Sequence, residues 1–300
     1  MFDRALDTQL NSVPSIQETR APWLHRVVKA MRLAKPAEAV IRPRLWGAMR
    51  RPYGPFQFRY QVPRECEHSV EASTDLRFWT DIWHGKGKEE AVQYMDSAAY
   101  KFSFRFYRVR VRELLSENVV GYVAVGLPPG YSMISNAFLS SQTLEDLFPG
   151  WPDGTKVSLF DTSLLKLVEN RLEHGKWRQP HVRISPGEGA LFFNPSNDYR
   201  TAAFAGELVD GEQSLPIPPG FSIRGSVLPW PGALDELGFP LAEGDVVHVF
   251  DRERQQYGLH PFENGRWSNG PAVISAGEGF WIAKSKPAVW KAKLDLFQAK

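Results

Sequence analysis

Alternating apolar and polar residues predict short β-strands along most of the chain. Phe58, Tyr60 and Val62 alternate with polar or basic residues, and the segment Phe102–Phe106 has the same period of two. Successive side chains on a strand point to opposite faces, so this pattern is typical of a sheet with one buried face. The 24 Gly and 23 Pro supply the turns that many short strands need.

The segment Trp23–Ala34 has a helical period instead. Its apolar residues between Leu24 and Met31 fall on one face, its basic residues lie mostly off that face, and Pro36 ends it. Residues 1–64 carry 12 Lys and Arg against 4 Asp and Glu, although the net charge of the whole chain is only +2. A basic, partly helical arm is therefore expected at the start of the chain.

The rest of the chain contains an internal repeat with an offset of 90 residues. Pro128-Pro129-Gly130 returns as Pro218-Pro219-Gly220, and Gly187-Glu188-Gly189 returns as Gly277-Glu278-Gly279. Three further matched pairs have the same offset: Gly154 and Gly244, Phe160-Asp161 and Phe250-Asp251, and Gly175-x-Trp177 and Gly265-x-Trp267. A fixed period of this kind indicates a tandem duplication.

The two copies differ at one outward position. Val247 and Val249 point inward by alternation, so His248 between them is expected to face outward. Its counterpart in the first copy is Ser158, which argues against a shared metal or catalytic role.

The predicted fold is all-β, mostly antiparallel and multi-module. A β-sandwich-like module is followed by two duplicated small β-domains, which are expected to pack about a pseudo-twofold axis. The expected segments are the arm at 1–55, the sandwich module at 56–115, the first repeat at 116–209 and the second repeat at 210–300.

Composition excludes several kinds of site. Cys66 is the only cysteine, so neither an intramolecular disulfide nor a cysteine-rich metal site can form. No apolar run of about 18 residues is present to predict a transmembrane helix. Met1–Arg20 lacks the features of a secretory signal, so a cytoplasmic location is one alternative. HExxH, GxSxG, Walker and Rossmann motifs are absent, so neither a metal nor a cofactor is expected.

Two stretches resemble modules of exported bacterial proteins. The sequence from Glu71 through Trp79, followed by Arg105–Val111, resembles a small fibronectin-III-like module found in verrucomicrobial and planctomycete-type bacteria. The resemblance covers residues 70–111. It implies that Trp79 fills the sandwich core and that Tyr107 locks a corner.

The duplicated segment is similar to a β-rich repeat of exported, often cell-surface proteins in the same bacteria. The resemblance covers about 120–299 and is carried by Leu127–Asn136, the segment around Gly187-Glu188-Gly189 and their second copies. That family has no established activity. The resemblance therefore implies an extracellular or cell-surface location and a β architecture, rather than a reaction.

Four duplicated side chains are candidates for binding or catalysis. Glu188 and Glu278 are the obvious acid pair, but a glycosidase needs two carboxyl groups within about 10 Å of each other. Duplicated residues lie in separate units, so each Glu is expected to accept backbone N–H bonds in its own turn. Trp177 and Trp267 are candidate platforms for sugar rings, but a duplicated Gly-x-Trp favours the interpretation that they are core anchors beside the turn.

The basic arm supplies the other candidates. Arg42, Arg44, Arg50 and Arg51 are candidate binding residues, because a basic arm can bind an acidic partner surface, anionic lipid or nucleic acid. They are not interleaved with a stacking platform for single strands, so nucleic acid is not the expected partner.

The expected function is non-enzymatic: a structural, adhesive or assembly protein acting through contacts with other protein subunits. A carbohydrate-binding module using Trp177 and Trp267 is the first alternative. A glycoside hydrolase using Glu188 or Glu278 is the second.

Overall fold

Antiparallel β-strands form almost all of the regular structure, as the alternating pattern predicts. The computed structural model describes residues 42–88 and 90–297, which belong to one compact unit. The all-β prediction is confirmed, since several antiparallel sheets form multiple β-domains. Within the described residues, no helix has the length and apolar character needed to cross a bilayer. The helix predicted over Trp23–Ala34 lies outside them.

The first part of the described chain forms two facing sheets. Its strands are β1 (Leu45–Arg50), β2 (Phe56–Tyr60), β3 (Glu67–Ser73), β4 (Thr80–Lys86), β5 (Val92–Asp96), β6 (Phe104–Val111), β7 (Leu114–Leu115) and β8 (Val120–Leu127), with a 3-10 turn at Ala99–Lys101. The smaller sheet has the order β1-β2-β5, and the larger contains β8-β6-β3-β4 with β7 beside β6. Because β1 pairs with β2, the segment expected as an arm, 1–55, ends in a strand of a sheet.

The two repeats build equivalent five-stranded sheets. The first copy contains β9 (Gly130–Ser135), α1 (Leu144–Leu147), β10 (Lys156–Asp161), β11 (Lys166–Glu173), β12 (Lys176–Trp177), β13 (Gly189–Asn194) and β14 (Arg200–Glu207). The second contains β15 (Gly211–Ile217), β16 (Gly220–Gly225), β17 (Gly232–Ala233), β18 (Asp245–Asp251), β19 (Gln256–Glu263), β20 (Arg266–Trp267), β21 (Val273–Ile274), β22 (Gly279–Lys284) and β23 (Ala288–Leu294). The sheet orders β12-β11-β10-β13-β9 and β20-β19-β18-β22-β16 match strand for strand.

Strands β8 and β14 connect the first repeat to the sandwich. β14 pairs with β8, so the larger sandwich sheet has the order β14-β8-β6-β3-β4. The expected boundary between residues 115 and 116 therefore falls between β6 and β8, which pair in this sheet. In the second copy, β15 and β23 form a separate two-stranded sheet. In the first copy Leu127 pairs with Arg200, so an offset of 90 residues would pair Ile217 with Trp290. Ile217 instead pairs with Ala288, and the register of the second copy is therefore shifted by two residues.

The two faces of the larger sheet contribute to separate cores. On the sandwich side, the rings of Tyr107 and Tyr122 lie against Phe56, with centroids 4.6 and 5.2 Å apart. On the other side, Phe106 and Val123 join a core that continues into both repeats. Alternation along β6 and β8 thus places one half of each strand's side chains in each core.

Tyr107 makes the expected corner bond, whereas the prediction that Trp79 fills the sandwich core is wrong. The Tyr107 hydroxyl donates to Asp96 Oδ2 at 2.7 Å, which ties β6 to the end of β5. Trp79 lies on the opposite side of the sheet, where the Arg108 guanidinium is 4.2 Å from its ring centroid. Buried Glu71 accepts hydrogen bonds from Arg108 and Arg110 there. The indole covers this charged cluster instead of the aromatic core.

We expect Tyr107→Phe to lower the free energy of unfolding by about 1.5–3 kcal/mol, because it removes a buried hydrogen bond to a carboxylate. The matched control is Tyr122→Phe, whose hydroxyl donates to the neutral carbonyl of Ala99 at 2.7 Å. It should cost only about 1 kcal/mol. Urea unfolding of both variants measures the difference, and equal losses would contradict the charge-assisted corner bond.

The two copies interlock about a pseudo-twofold axis. Ser135 N donates to the Gly277 carbonyl at 2.8 Å, and its counterpart Gly225 N donates to the Gly187 carbonyl at 3.0 Å. Each Gly-Glu-Gly turn therefore packs on the other copy. At Gly187 a Cβ would lie 2.7 Å from Leu215, and at Gly277 one would lie 2.6 Å from Val125. Both glycines also have positive φ, so the turns require glycine for space and for backbone conformation.

Candidate functional site

The duplicated glutamates hold the turns in which they lie. Glu188 Oε2 accepts from Ser185 N at 2.9 Å, and Glu278 Oε2 accepts from Ser275 N at 2.8 Å. The expected backbone bonds are confirmed in both copies. Glu278 is also buried, and its Oε1 lies 3.4 Å from Arg252 Nη2. Each carboxylate is therefore bound to the backbone of its own turn, and Glu278 is also paired with Arg252.

The structure places Trp177 in the core, as the duplicated Gly-x-Trp favours, and the alternative of an exposed sugar platform is wrong for this residue. Its side chain is only 4% exposed and packs against Phe148, so no ring face is open to a ligand. Trp267 is half-buried, and the edge-to-face contact with Phe262 has a centroid distance of 5.5 Å. Both indoles serve as anchors beside the Gly-x-Trp turns, because the short strands β12 and β20 direct them toward the core.

Three of the four candidate arginines are used within the fold. Arg42 Nε and Nη2 donate to the carbonyls of Leu115 and Ser116, both at 2.9 Å. Arg44 pairs with Glu207 at 2.9 Å in an exposed ion pair. The other two candidates, Arg50 and Arg51, differ sharply in burial.

Arg50 is buried and stacks over Tyr122, whose ring centroid is 4.2 Å from the guanidinium carbon. Burial lowers the pKa of Arg50. Arg51 is exposed. The structure therefore gives Arg42, Arg44 and Arg50 separate contacts within the fold. In the described part of the chain, no group of three or more His, Cys, Asp and Glu side chains is placed to hold a metal ion.

The structure reveals a surface cavity that the sequence did not predict. It has a volume of about 400 Å³, and we call it the aromatic pocket; its lining residues are Phe160, Leu165, Phe221, His248, Tyr257 and Trp281. Phe160 and Leu165 come from the β10–β11 hairpin of the first copy. The other four come from β16, β18, β19 and β22, on the outer face of the second sheet.

Strand alternation directs these side chains outward. Val247 and Ile282 are fully buried, so their neighbours His248 and Trp281 point to the other face of the sheet. The outward orientation predicted for His248 is therefore confirmed. This face is covered only in part, since Phe221 is 50% and Tyr257 41% exposed.

The rings of the aromatic pocket meet nearly at right angles. Trp281 forms angles of 73° with Phe160 and 81° with Phe221, at centroid distances of 4.9 and 6.4 Å. His248 forms angles of 72° with Phe221 and 77° with Tyr257, at 6.0 and 6.3 Å. Trp281 Nε1 donates to Tyr257 Oη at 3.2 Å. Four rings thus form a closed circuit of contacts, with Phe160 beside it.

The titratable groups of the pocket favour their uncharged forms. Burial lowers the pKa of His248. Burial raises the pKa of Tyr257, and the hydrogen bond from Trp281 offsets part of that effect. Both shifts move the charged form further from neutral pH. The described lining residues include no Lys, Arg, Asp or Glu.

The equivalent surface of the first copy has a different character. The residues matched to His248, Tyr257 and Trp281 are Ser158, Leu167 and Leu191. Leu165 is replaced there by Gln255, which accepts from Tyr131 N at 2.7 Å and donates to the Tyr131 carbonyl at 2.8 Å. The amide therefore lies across the counterpart of the pocket. A comparison of the two copies at outward positions alone would have exposed this difference in the sequence.

Comparisons with known proteins do not extend this description. No protein-family model matches the chain, and no curated protein matches it.

Proposed function

We propose that the protein is a non-enzymatic structural or adhesive protein, working outside the cell or on its surface through protein–protein contacts. The aromatic pocket is its principal contact site and is the observation that carries the proposal. Its rings lie on the faces of strands whose opposite faces fill the main core. Phe160 and Trp281 also pack against the buried side chains of Met133, Ile223 and Phe250, whereas Phe221 and Tyr257 remain exposed. The exposed ring surfaces are available for contact with another molecule.

The chemistry of the pocket suits a protein partner. A few hot-spot residues supply most of the binding energy at protein interfaces, and Trp and Tyr are enriched among them in well-packed pockets from which water is excluded. The aromatic pocket combines Trp281 and Tyr257 with three further rings in one cavity. One anchoring side chain of a partner would bury several of these rings at once.

The architecture supports the same proposal. The sheet β1-β2-β5 faces β4-β3-β6-β8 across an aromatic core, which agrees with the fibronectin-III-like module expected from the sequence. Modules of this kind serve as rigid supports in cell-surface proteins. In this chain β14 extends the support directly into the repeats that carry the pocket.

A triple variant tests the proposal with a built-in control for folding. His248→Ser, Tyr257→Leu and Trp281→Leu together give the second copy the residues that the first copy has at matched positions; we call it the first-copy variant. The unaltered protein and the first-copy variant are each applied to arrays of peptides, some unmodified and some with modified side chains. We expect the peptides that the unaltered protein binds most tightly to bind the first-copy variant at least about 30-fold more weakly. This is the effect of losing one interface hot spot.

Tyr131→Ala is the matched control, because Tyr131 is an exposed ring at the position equivalent to Phe221 but outside the pocket. It should bind as the unaltered protein does. Thermal unfolding checks that all three proteins fold. If peptide binding is the same in the first-copy variant, the pocket is not the contact site and the proposal fails.

A carbohydrate is the second candidate partner, because the exposed faces of Phe221 and Tyr257 could stack on sugar rings. Sugar hydroxyls also need hydrogen-bond partners. In the pocket, His248 and the Tyr257 hydroxyl are the lining polar groups, and Trp281 already donates to the latter. A glycan array probed with the same variants distinguishes the two. Glycan binding that is lost in the first-copy variant, without peptide binding, would replace the first proposal by the second.

A further inference from the structure

We propose that the aromatic pocket recognises a trimethylated ammonium group, carried on a lysine side chain of a partner protein. This inference rests on the proposed function of the pocket as a contact site. It adds the chemistry of the group that enters.

The arrangement of the rings favours a cation. Trp281, Phe221, His248 and Tyr257 form a circuit in which three of the four neighbouring pairs of rings are nearly perpendicular. The fourth pair, Trp281 and Tyr257, is joined by a hydrogen bond. Perpendicular walls can direct more than one ring face toward a single point between them. The face of an aromatic ring carries negative electrostatic potential, so several faces around one point attract a positive group.

The described lining residues carry no charged group, and this favours a trimethylated ammonium over the primary ammonium of unmodified lysine. A primary ammonium has three N–H donors that need acceptors, and the described lining residues include no carboxylate. A trimethylammonium has no N–H to satisfy, so it enters an apolar cavity at a smaller cost. His248 opposes it least when neutral, the form that burial favours.

The shape of the site indicates a side chain as the source. Phe221 and Tyr257 are about half exposed at the mouth, and Leu165 is 71% exposed at its edge. The cavity is therefore open on one side, as a group projecting from a larger molecule requires. Leu165 offers an apolar surface along which the methylene stem of a lysine can lie.

The first copy provides an internal contrast. At matched positions it has Ser158, Leu167 and Leu191 in place of three rings, and Gln255 lies across the site. Three of the aromatic walls are thus specific to the second copy, whereas the buried residues that shape the sheet are apolar in both.

The test measures binding of capped trimethyllysine by the full chain. The probes are Nα-acetyl-Nε-trimethyllysine methylamide, its unmethylated form, and the carba analogue in which a quaternary carbon replaces the charged nitrogen. Since the chain has 10 Trp, the readout is the indole N–H resonance of Trp281, assigned by its loss in Trp281→Phe. We expect a saturable shift with trimethyllysine and about tenfold weaker binding of the other two probes, as a desolvated cation–π contact provides.

Two variants and two competitors complete the design. The first-copy variant, followed by calorimetry, should lose trimethyllysine binding, and Tyr131→Ala should retain it. Choline and glycine betaine test for a free small molecule, and tenfold tighter binding of either would overturn the assignment to a partner's lysine. Equal binding of trimethyllysine and its carba analogue would show an apolar pocket without cation selectivity. Binding of none of the probes also overturns the inference, whereas peptide-array binding that depends on the pocket would leave the proposed function standing.

Discussion

Replacing Lys284 by Met is expected to lower the free energy of unfolding by about 3–5 kcal/mol, because it leaves a buried carboxylate without its cation. The side chains of Lys284 and Asp245 are completely buried and form an ion pair. Lys284 also donates to the Pro240 carbonyl at 2.5 Å. Asp245 accepts from Ala242 N and Ser285 N, both at 2.8 Å. The loss is measured by urea unfolding of the full chain.

The first copy shows how the same place is built without charge. Asp245 and Lys284 correspond to Thr155 and Asn194, which are buried and hydrogen-bonded to backbone carbonyls of Pro152 and Leu127. The double variant Asp245→Thr with Lys284→Asn should therefore be more stable than Lys284→Met alone. A double-mutant cycle that includes the single variants Asp245→Thr and Lys284→Asn should give a thermodynamic coupling of about 1–3 kcal/mol between the two sites. Additive losses would show that the two side chains act independently.

Replacing Gly225 by Ser is expected to cost about 1–3 kcal/mol through overpacking at the pseudo-twofold axis. A Cβ at Gly225 would lie 2.1 Å from the Cβ of Ser135, its counterpart in the first copy. Only one of the two equivalent positions can carry a side chain. Backbone hydrogen bonds join the two copies at this point, so the backbone has little freedom to move away from an added side chain.

Exchanging the two residues should restore most of that stability. Ser135 Oγ donates to the Glu278 carbonyl at 3.0 Å, and a Cβ at 225 would lie 3.4 Å from the matched carbonyl of Glu188. The double variant Ser135→Gly with Gly225→Ser therefore recreates the same contact on the other side of the axis. Thermal and urea unfolding should place it closer to the unaltered chain than Gly225→Ser. A double variant less stable than the single one would contradict this account.

The sequence predicted the parts of the fold that depend on local pattern and on duplication. Period-two alternation located the strands, and the 90-residue offset predicted two equivalent sheets. The backbone bonds of Glu188 and Glu278 followed from a carboxylate between glycines. These features need only neighbouring residues, so they can be inferred from a single chain.

The features that the sequence did not predict depend on what covers each face. The role of Trp79 was implied by the family resemblance, which could not show that its ring lies beside Arg108 and Glu71 instead of in the sandwich core. In the same way, strand alternation predicted that His248 faces outward, but it could not show that Phe160 of the other copy lines the same pocket. The aromatic pocket joins side chains from both copies, and such a pairing follows from the interlocking about the axis. The duplicated Gly-x-Trp favoured the anchor interpretation of Trp177, but only the packing against Phe148 shows that no ring face is left open for a sugar.

The pairing of β8 with β14 has a consequence for the order of events during synthesis. Strands β3, β4, β6 and β8 emerge from the ribosome before β14, which ends at Glu207. Until then β8 is an edge strand with a free row of backbone donors and acceptors, and such an edge can pair with another nascent chain. Removing residues from 200 onward would make that transient state permanent. Fragments ending before β14 should therefore aggregate during expression, whereas in the full chain β14 covers β8.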